Sequence, residues 1–418
     1  MATLMLLGGS NCQLNAARAV RAMGHRLVLA DYLEHPPAAS LCDAHIKVST
    51  FDVEACIQAA RDARVDGVMT VGSDQPVYTA ARVAQALRLP SPISVETALR
   101  ATHKRAMKEA FVRNGIPNVP YMVLWPQERP DALRSLGMPL VLKPLDSQGQ
   151  RGVFRVFSPA EALARLPETL RFSREPMAMA EQYYPSDEVT LSSFVLDGRV
   201  YDLTLTDRQL IDHPTHIGVC AAHRYPSRHE VRSAEIHALA QRVADALGVT
   251  QGPLYIQFLI GAQGVMVNEA ACRIGGAFED VFIPWATGFD LLGAVIHQSL
   301  GEPFDASALQ HPEPANPLCQ VSVQMLFGKP GVIAAETPIS EVLSWPGVLA
   351  AGYNYPVGSV LPRLENATAR LGHCVLATDQ GNMARKVSDL YANLCVEDAA
   401  GENLLLPRTY DGEGCAFA

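Results

Sequence analysis

GPLYIQFLIGAQGVMVNEAACRIGG, residues Gly252–Gly276, is the stretch of sequence that decides the fold. Two apolar segments, Leu254–Ile260 and Val265–Ala270, flank the turn residues 261–264. Apolar runs of this length around a glycine-containing turn predict a β-hairpin. The polar residues of this hairpin therefore occupy defined positions on two paired strands.

Those polar residues point to ligand binding. Side chains alternate between the faces of a strand, and paired strands bring Gln257 and Glu269 within reach of one cavity. A carboxylate beside an amide oxygen suits a hard cation such as Mg2+. Arg273 follows at the exit of the second strand, before Gly275 and Gly276, and its guanidinium suits a carboxylate or a phosphate. A half-buried hairpin with polar ends and no ligand remains an open alternative at this point.

The composition is that of a soluble globular protein. The chain has 418 residues, of which 48% are hydrophobic and 18% charged, and its net charge is −9. The length allows roughly two to four packed domains. An acidic balance disfavours a broad nucleic-acid-binding face, and no apolar run reaches the ~18 residues of a membrane span. The nine cysteines form no CxxC pair, so we expect reduced thiols in a cytoplasmic protein.

Residues 1–98 alternate between strand and helix patterns. The predicted strands and helices, in chain order, are Thr3–Leu7, Gln13–Met23, Arg26–Asp31, Val53–Arg64 and Gly67–Val71. This alternation predicts a parallel α/β unit whose ligands lie at the carboxyl ends of the strands. Asp74 lies at that edge, where it could face a ligand or simply cap the following helix.

Two further segments suggest a nucleotide site. Lys143 ends the short apolar strand LVLKP and precedes the loop 147–152, whose backbone N–H groups could close over phosphates. Met179–Tyr184 is an apolar strand that runs into a polar connection, and Glu188 follows. That connection could bind an adenine edge, and the carboxylate could accept ribose hydroxyls. A β-hairpin with a mobile tip and a solvated turn are the respective alternatives.

Taken in order, these pieces resemble the ATP-grasp superfamily. The series is Lys104, then VLKP with its glycine loop, then EQYYPSDE and finally NEAACRIGG. The closest resemblance is to carboxylate–amine ligases of the L-amino-acid ligase and carbamoyl-phosphate-synthetase-like branch. It implies a mixed α/β (α+β) ATP-grasp fold, with an N-terminal parallel α/β domain and a C-terminal lid or sheet subdomain. The implied units are a pre-ATP-grasp domain (1–98), a small lid subdomain (99–185), a central catalytic subdomain (186–315) and a C-terminal subdomain (316–418).

The resemblance also implies roles for individual residues. Lys104 and Lys143 would contact the phosphates of ATP, and the loop from Ser147 through Gln148 and Gly149 to Gly152 would close over them. The hinge for adenine would be formed by Glu181, Gln182, Tyr183 and Tyr184, with Glu188 at the ribose. Gln257 and Glu269 would hold Mg2+ or Mn2+, and Arg273 would bind the carboxylate and the acyl phosphate made from it. Lys143, Glu269 and Arg273 are therefore the expected catalytic residues, and Gly275 and Gly276 would let the backbone approach the substrate.

Three positions depart from the family pattern. His103 stands where many members have Asp, and Gln257 stands where many have Glu. The usual E-x-N-x-R reads Glu269-Ala270-Ala271-Cys272-Arg273, so the Asn ligand is missing. Asn268 precedes the carboxylate, and strand alternation predicts that it points the other way. These departures weaken the expected second metal site.

The segment QLIDHPTHIGVCAAHRYPS carries three histidines and is similar to the substrate-covering loop of the ligase family. His213, His216 and His223 could suggest zinc, although their spacing matches no usual site. Contact with substrate and a solvated loop are the other interpretations. Arg208 and Arg224 are expected to pair with anionic groups of the substrate, together with Asp74 and His223.

The predicted activity is ATP- and Mg2+-dependent activation of a small-molecule carboxylate as an acyl phosphate. An amine would then displace phosphate to form an amide or peptide bond. A carboxylase acting through carboxyphosphate and a nucleotide-binding protein with degenerate chemistry are the alternatives. We expect a homodimer with no nucleic-acid or membrane partner.

Overall fold

The computed structural model describes residues 1–211, 217–310 and 318–411. Its N-terminal elements are β1 (Thr3–Leu7), α1 (Leu14–Ala22), β2 (Arg26–Asp31), β3 (Ala44–Lys47), α2 (Val53–Ala63), β4 (Gly67–Met69) and α3 (Gln75–Leu87). The four strands form a parallel sheet in the order β3-β2-β1-β4, which confirms the predicted parallel α/β unit. Strand β1 is buried from Leu4 to Leu7, since helices cover the faces of the sheet.

The next unit is built around a small antiparallel sheet. Its elements are α4 (Val95–Thr102), α5 (Lys104–Arg113), β5 (Tyr121–Leu124), α6 (Pro130–Leu133), β6 (Leu140–Pro144), β7 (Phe154–Val156), α7 (Pro159–Leu170) and β8 (Ala178–Gln182). The strand order is β5-β8-β6-β7, so the strand carrying Lys143 is central and lies beside β8. The lysine and the expected hinge are therefore neighbours in one sheet.

The sequence pattern from about Val95 to Asn114 predicts one helix, but in the structure His103 divides it into two. His103 has an extended backbone, with φ −106° and ψ 111°, and it ends α4 and begins α5. Its Nδ1 accepts the N–H of Ala106, while its Nε2 lies 2.8 Å from Glu175. The break lets α5 begin at Lys104 in a new direction.

The central elements are β9 (Ser186–Leu196), β10 (Arg199–Ile211), β11 (Val219–Tyr225), α8 (Ser233–Leu247), β12 (Gly252–Gly261), β13 (Gly264–Ala271), α9 (Glu279–Thr287) and α10 (Leu291–Leu300). The C-terminal elements are β14 (Gln320–Leu326), β15 (Gly331–Val332), β16 (Ala335–Glu336), α11 (Ile339–Val342), β17 (Val348–Tyr353), β18 (Val360–Leu361), β19 (Gly372–Thr378), α12 (Met383–Asn393) and β20 (Val396–Glu397). Strands from both sets form one eight-stranded sheet in the order β13-β12-β9-β10-β11-β14-β19-β17.

Helices cover both faces of this large sheet. On one face, Leu239 and Val243 of α8 belong to the same buried cluster as Ile256 of β12. On the other face, Phe194 of β9 packs edge-on against Phe289, with ring centroids 5.2 Å apart. This second cluster also includes side chains of β1, so the N-terminal sheet packs beside α9 and α10. Over the described residues, no helix is long and apolar enough to cross a membrane.

Candidate active site

The hairpin of β12 and β13 has the predicted turn and carries an additional bulge. Gln257 lies directly opposite Glu269, but the register then shifts, so that Phe258 pairs with Val267. Asn268 is the extra residue of this bulge. Its Nδ2 lies 3.5 Å from Oε1 of Gln257. The prediction that Asn268 points the other way is therefore wrong, because a bulge interrupts strand alternation.

Glu269 provides an available carboxylate at a small cavity. The side chain is half-buried, and no hydrogen bond or ion pair to it is present within residues 1–211, 217–310 and 318–411. The cavity has a volume of about 20 Å³ and is lined in part by Lys104, Asp74, Tyr255 and Arg273. This volume suits a group the size of a single water or ion. The residues therefore fit one hard cation held by the Glu269 carboxylate.

Three lysines converge beside this cavity around one buried carboxylate. Nζ of Lys143 lies 2.5 Å from one oxygen of Glu181, and Nζ of Lys108 lies 3.0 Å from the other. Although burial alone would raise the pKa of Glu181, the two lysines lower it to about 2. Lys104 donates to the backbone oxygen of Ser147 at 2.7 Å, and burial lowers its pKa. The three lysines therefore concentrate positive charge beside the cavity, with Glu181 between two of them and with Glu269 and Asp74 near the third.

The loop 147–152 is docked against three other parts of the chain. Oε1 of Gln148 accepts the N–H of Asp74 at 2.8 Å, at the edge of the N-terminal sheet. The carbonyl of Gly149 accepts the N–H of Ala367, and Gln150 donates to the carbonyl of Gly218. Gly149 and Gly152 both have φ of +70°, a conformation that favours glycine. The loop is therefore held between Lys104, the N-terminal unit and two later segments of the chain.

Arg273 connects the hairpin to the N-terminal unit. Its Nε and Nη2 lie 2.7 and 2.5 Å from Oδ1 of Asp74. Gly72 donates its N–H to the carbonyl of Ile274, and a Cβ on Gly276 would lie 3.0 Å from the Gly72 oxygen. Glycine at position 276 therefore allows the two backbone segments to lie this close together. The predicted substrate residues Asp74, Arg273, Gly275 and Gly276 are thus brought together.

This chain is similar to known proteins in sequence and in fold. No family model matches the sequence. The L-arginine-specific L-amino acid ligase of Bacillus subtilis is 24% identical over 294 residues, which are 67% of this chain and 68% of the relative.

Two solved structures are similar over 95% of this chain. L-amino acid ligase from Bacillus licheniformis has a TM-score of 0.78 and 18% identity, over 99% of its own chain. The biotin carboxylase domain of Hydrogenobacter thermophilus 2-oxoglutarate carboxylase, in complex with ADP, Mg-ADP and bicarbonate, has a TM-score of 0.74 and 16% identity, over 91% of its chain. This chain has the ATP-grasp fold. The resemblance seen in the sequence is thereby confirmed.

The backbone of the expected adenine hinge already makes hydrogen bonds within the chain, which the sequence did not indicate. The N–H of Gln182 donates to Pro120 at 2.9 Å, and that of Tyr183 donates to Pro139 at 3.0 Å. The Tyr184 hydroxyl donates to the carbonyl of Gly264. Two backbone donors of this connection are therefore not free for a base edge, and the Glu181 side chain is directed to the lysines.

Glu188 and Arg208 form an ion pair that links three strands. They are direct cross-strand partners on β9 and β10, and Arg208 Nη1 lies 3.2 Å from Oε2 of Glu188. The same Nη1 donates to Oε1 of Gln257 on β12. The predicted ribose residue, substrate arginine and amide ligand are thus bonded to one another.

The remaining predicted substrate residues lie farther along β11. His223 is buried, its Nδ1 is 3.2 Å from the Thr206 hydroxyl, and burial lowers its pKa to about 4. Arg224 lies over the Tyr410 ring at 3.7 Å. His213 and His216 lie outside the described residues. Among the residues that are described, no group of three His, Cys, Asp or Glu side chains is placed to hold a metal.

The sequence analysis did not identify two buried charged residues near this candidate site. Lys108 follows Lys104 by one helical turn, so the i,i+4 spacing on α5 is the signal that could have found it. Glu279 accepts the N–H of Ala277 at 2.8 Å, and a Cβ on Gly275 would lie 2.0 Å from its other oxygen. Glu279 lies only four residues after Gly275, but no motif in the sequence marks it as a site residue.

Proposed function

We propose that this protein is an ADP-forming carboxylate–amine ligase that acts on small molecules of the amino-acid class. The observation that carries the proposal is a cluster of three lysines, in which Lys108 and Lys143 pair with Glu181 and Lys104 lies near Glu269 and Asp74. Such a lysine cluster suits a polyphosphate, and the adjacent Glu269 carboxylate suits its cation. The ligase relatives and the Mg-ADP complex of the biotin carboxylase neighbour support ATP and Mg2+ as cofactors.

The proposed chemistry overcomes the poor reactivity of a carboxylate. A carboxylate oxygen attacks the γ-phosphorus of ATP, the bond to the β-phosphate oxygen breaks, and ADP leaves. The amine nitrogen then attacks the acyl carbon, the carbon–oxygen bond to phosphate breaks, and the amine loses a proton. A bound Mg2+ would offset phosphate charge during these steps.

The chain's own residues act by positioning and charge. Lys104 and Lys143 orient the phosphates, and the docked loop 147–152 keeps water from them. Arg273 holds the carboxylate and the oxygens of the acyl phosphate. Asp74 holds Arg273 in place before a substrate carboxylate arrives. Homodimer formation and a cytoplasmic location remain predictions.

An isotope experiment tests the mechanism. The full chain is first screened for phosphate release with amino acids, singly and in pairs, and the active carboxylate is then labelled with 18O. One label should move into the released phosphate, because the acyl–oxygen bond breaks on the carboxylate side of that oxygen. AMP as the product, or unlabelled phosphate, would rule out the acyl-phosphate route.

A second candidate is a carboxylase that forms carboxyphosphate, and the structural similarity to the biotin carboxylase domain favours it. The same screen separates the two activities. Phosphate release that requires bicarbonate and no amino-acid carboxylate would support the carboxylase and contradict the ligase.

The role of Lys108 gives a separate prediction. Lys108→Met should weaken binding of a non-hydrolysable ATP analogue by roughly 10- to 100-fold, the range for losing a charged hydrogen bond. Without Lys108, the Glu181 carboxylate relies on Lys143 alone, and less of the Lys143 charge is left for phosphate. Calorimetric titration measures the affinity. Lys47→Met, at an exposed lysine paired with Glu34, is the control and should bind normally. Unchanged affinity in Lys108→Met would contradict this role.

A further inference from the structure

Arg208 lies where the strand register gathers three ligand-type side chains. It is the direct cross-strand partner of Glu188, and Glu188 in turn lies opposite Leu259 of β12. Gln257 is two residues from Leu259, so its side chain lies on the same face of the sheet. Glu188, Arg208 and Gln257 therefore line one side of the site, on three neighbouring strands.

The guanidinium engages both oxygen-bearing neighbours. Arg208 Nη1 lies 3.2 Å from the Glu188 carboxylate and donates to the Gln257 amide oxygen. The Arg208 side chain is only 10% exposed, so this arrangement is packed rather than solvated. Gln257 Nε2 lies 3.4 Å from the hydroxyl of buried Tyr255, which is consistent with this amide orientation. The oxygen that would bind a cation is therefore already occupied by a donor.

The Asn that usually adds a ligand for a second cation is also missing. Ala271 replaces the Asn of the usual pattern and offers no ligand oxygen. Asn268 reaches the same region through the bulge, but its Nδ2 is directed to Gln257. A divalent ion bound there would also be repelled by the fixed positive charge of Arg208. Glu269, in contrast, has no hydrogen bond or ion pair within the described part of the chain and faces the small cavity.

We propose that Arg208 takes the place of a second divalent cation, so that the chain binds one metal ion per nucleotide, on Glu269. The guanidinium then supplies a permanent positive charge beside Glu188 and Gln257, independent of the metal concentration. This inference rests on the proposed function, because it concerns the nucleotide-bound site.

The ratio of bound metal to bound nucleotide tests the inference without measuring activity. The full chain is dialysed to equilibrium against Mn2+ and the non-hydrolysable analogue AMP-PNP, and the excess of each on the protein side is measured. One Mn2+ per bound nucleotide is expected. Two Mn2+ per nucleotide in the unaltered chain would overturn the inference. No retained nucleotide would instead refute the proposed function.

Variants at two arginines of β10 test whether Arg208 is the reason that only one metal ion binds. Arg208→Met removes the guanidinium while keeping an unbranched side chain, and releases the oxygens of Glu188 and Gln257. Its ratio should rise to two Mn2+ per nucleotide. Arg199→Met, at an exposed arginine of β10, should keep a ratio of one. A ratio of one in Arg208→Met would overturn the assignment of Arg208, and the count for the unaltered chain decides the metal number even if that variant does not fold.

Discussion

Replacing Glu269 with glutamine should lower the rate of amide formation by at least about 100-fold, more than the loss usual for an outer-shell partner of a metal. Glu269 is the one carboxylate at the small cavity without a hydrogen bond or ion pair among the described residues, so no neighbouring acid can replace it. Glutamine has nearly the same shape and leaves no charged partner unpaired. The folded structure should therefore be retained.

Three measurements check this prediction. Steady-state rates measure the loss of turnover. In a Mg2+ titration, the variant should need more metal to reach its half-maximal rate. Calorimetry should show an unchanged melting temperature. Glu109→Gln, on the exposed face of α5, is the control and should behave like the unaltered chain. Full activity in Glu269→Gln would place the metal elsewhere.

Local patterns were sufficient to predict the hairpin. The two apolar runs and the glycines at positions 261 and 264 fix both strands, and this turn by itself would place Gln257 opposite Asn268. The bulge at Asn268 could not be predicted in this way. A single extra residue leaves the apolar pattern almost unchanged, yet it brings Glu269 opposite Gln257 while Asn268 also lies near that side chain.

The helix break at His103 depends on a distant partner. The helical pattern continues through residues 95–114, and His103 is no strong helix breaker. Its ring is held between the N–H of Ala106 and the carboxylate of Glu175, which lies 72 residues later. Such a tertiary contact can override helix propensity, because propensity differences are below about 1 kcal/mol per residue.

The charge network of the site could be predicted only in part. The order of motifs, through the resemblance that it carries, indicated Lys104, Lys143 and Glu269. The pairing of Arg208 with Gln257 depends on the strand order β12-β9-β10, which no local pattern determines. The sequence therefore predicted which residues belong to the site better than which of them are bonded to one another.

Arg273→Lys should lower turnover by about 10²- to 10³-fold, the range for losing one preorganised donor to developing charge. In the structure, Arg273 uses Nε and Nη2 together on one carboxylate, that of Asp74. A lysine retains the positive charge but provides a single ammonium and cannot reproduce this paired geometry. The variant should therefore slow the step in which the substrate carboxylate reacts.

Separate measurements of binding and turnover locate the loss. Affinity for the ATP analogue should be unchanged in Arg273→Lys, because the lysines hold the phosphates, while kcat with the active amino acids should fall. Arg105→Lys, at an exposed arginine of α5, is the matched control. An equal loss of nucleotide affinity and turnover would assign Arg273 to the nucleotide rather than to the carboxylate. If turnover falls alone, the ion pair with Asp74 represents the position that a substrate carboxylate takes when it displaces Asp74 from the guanidinium.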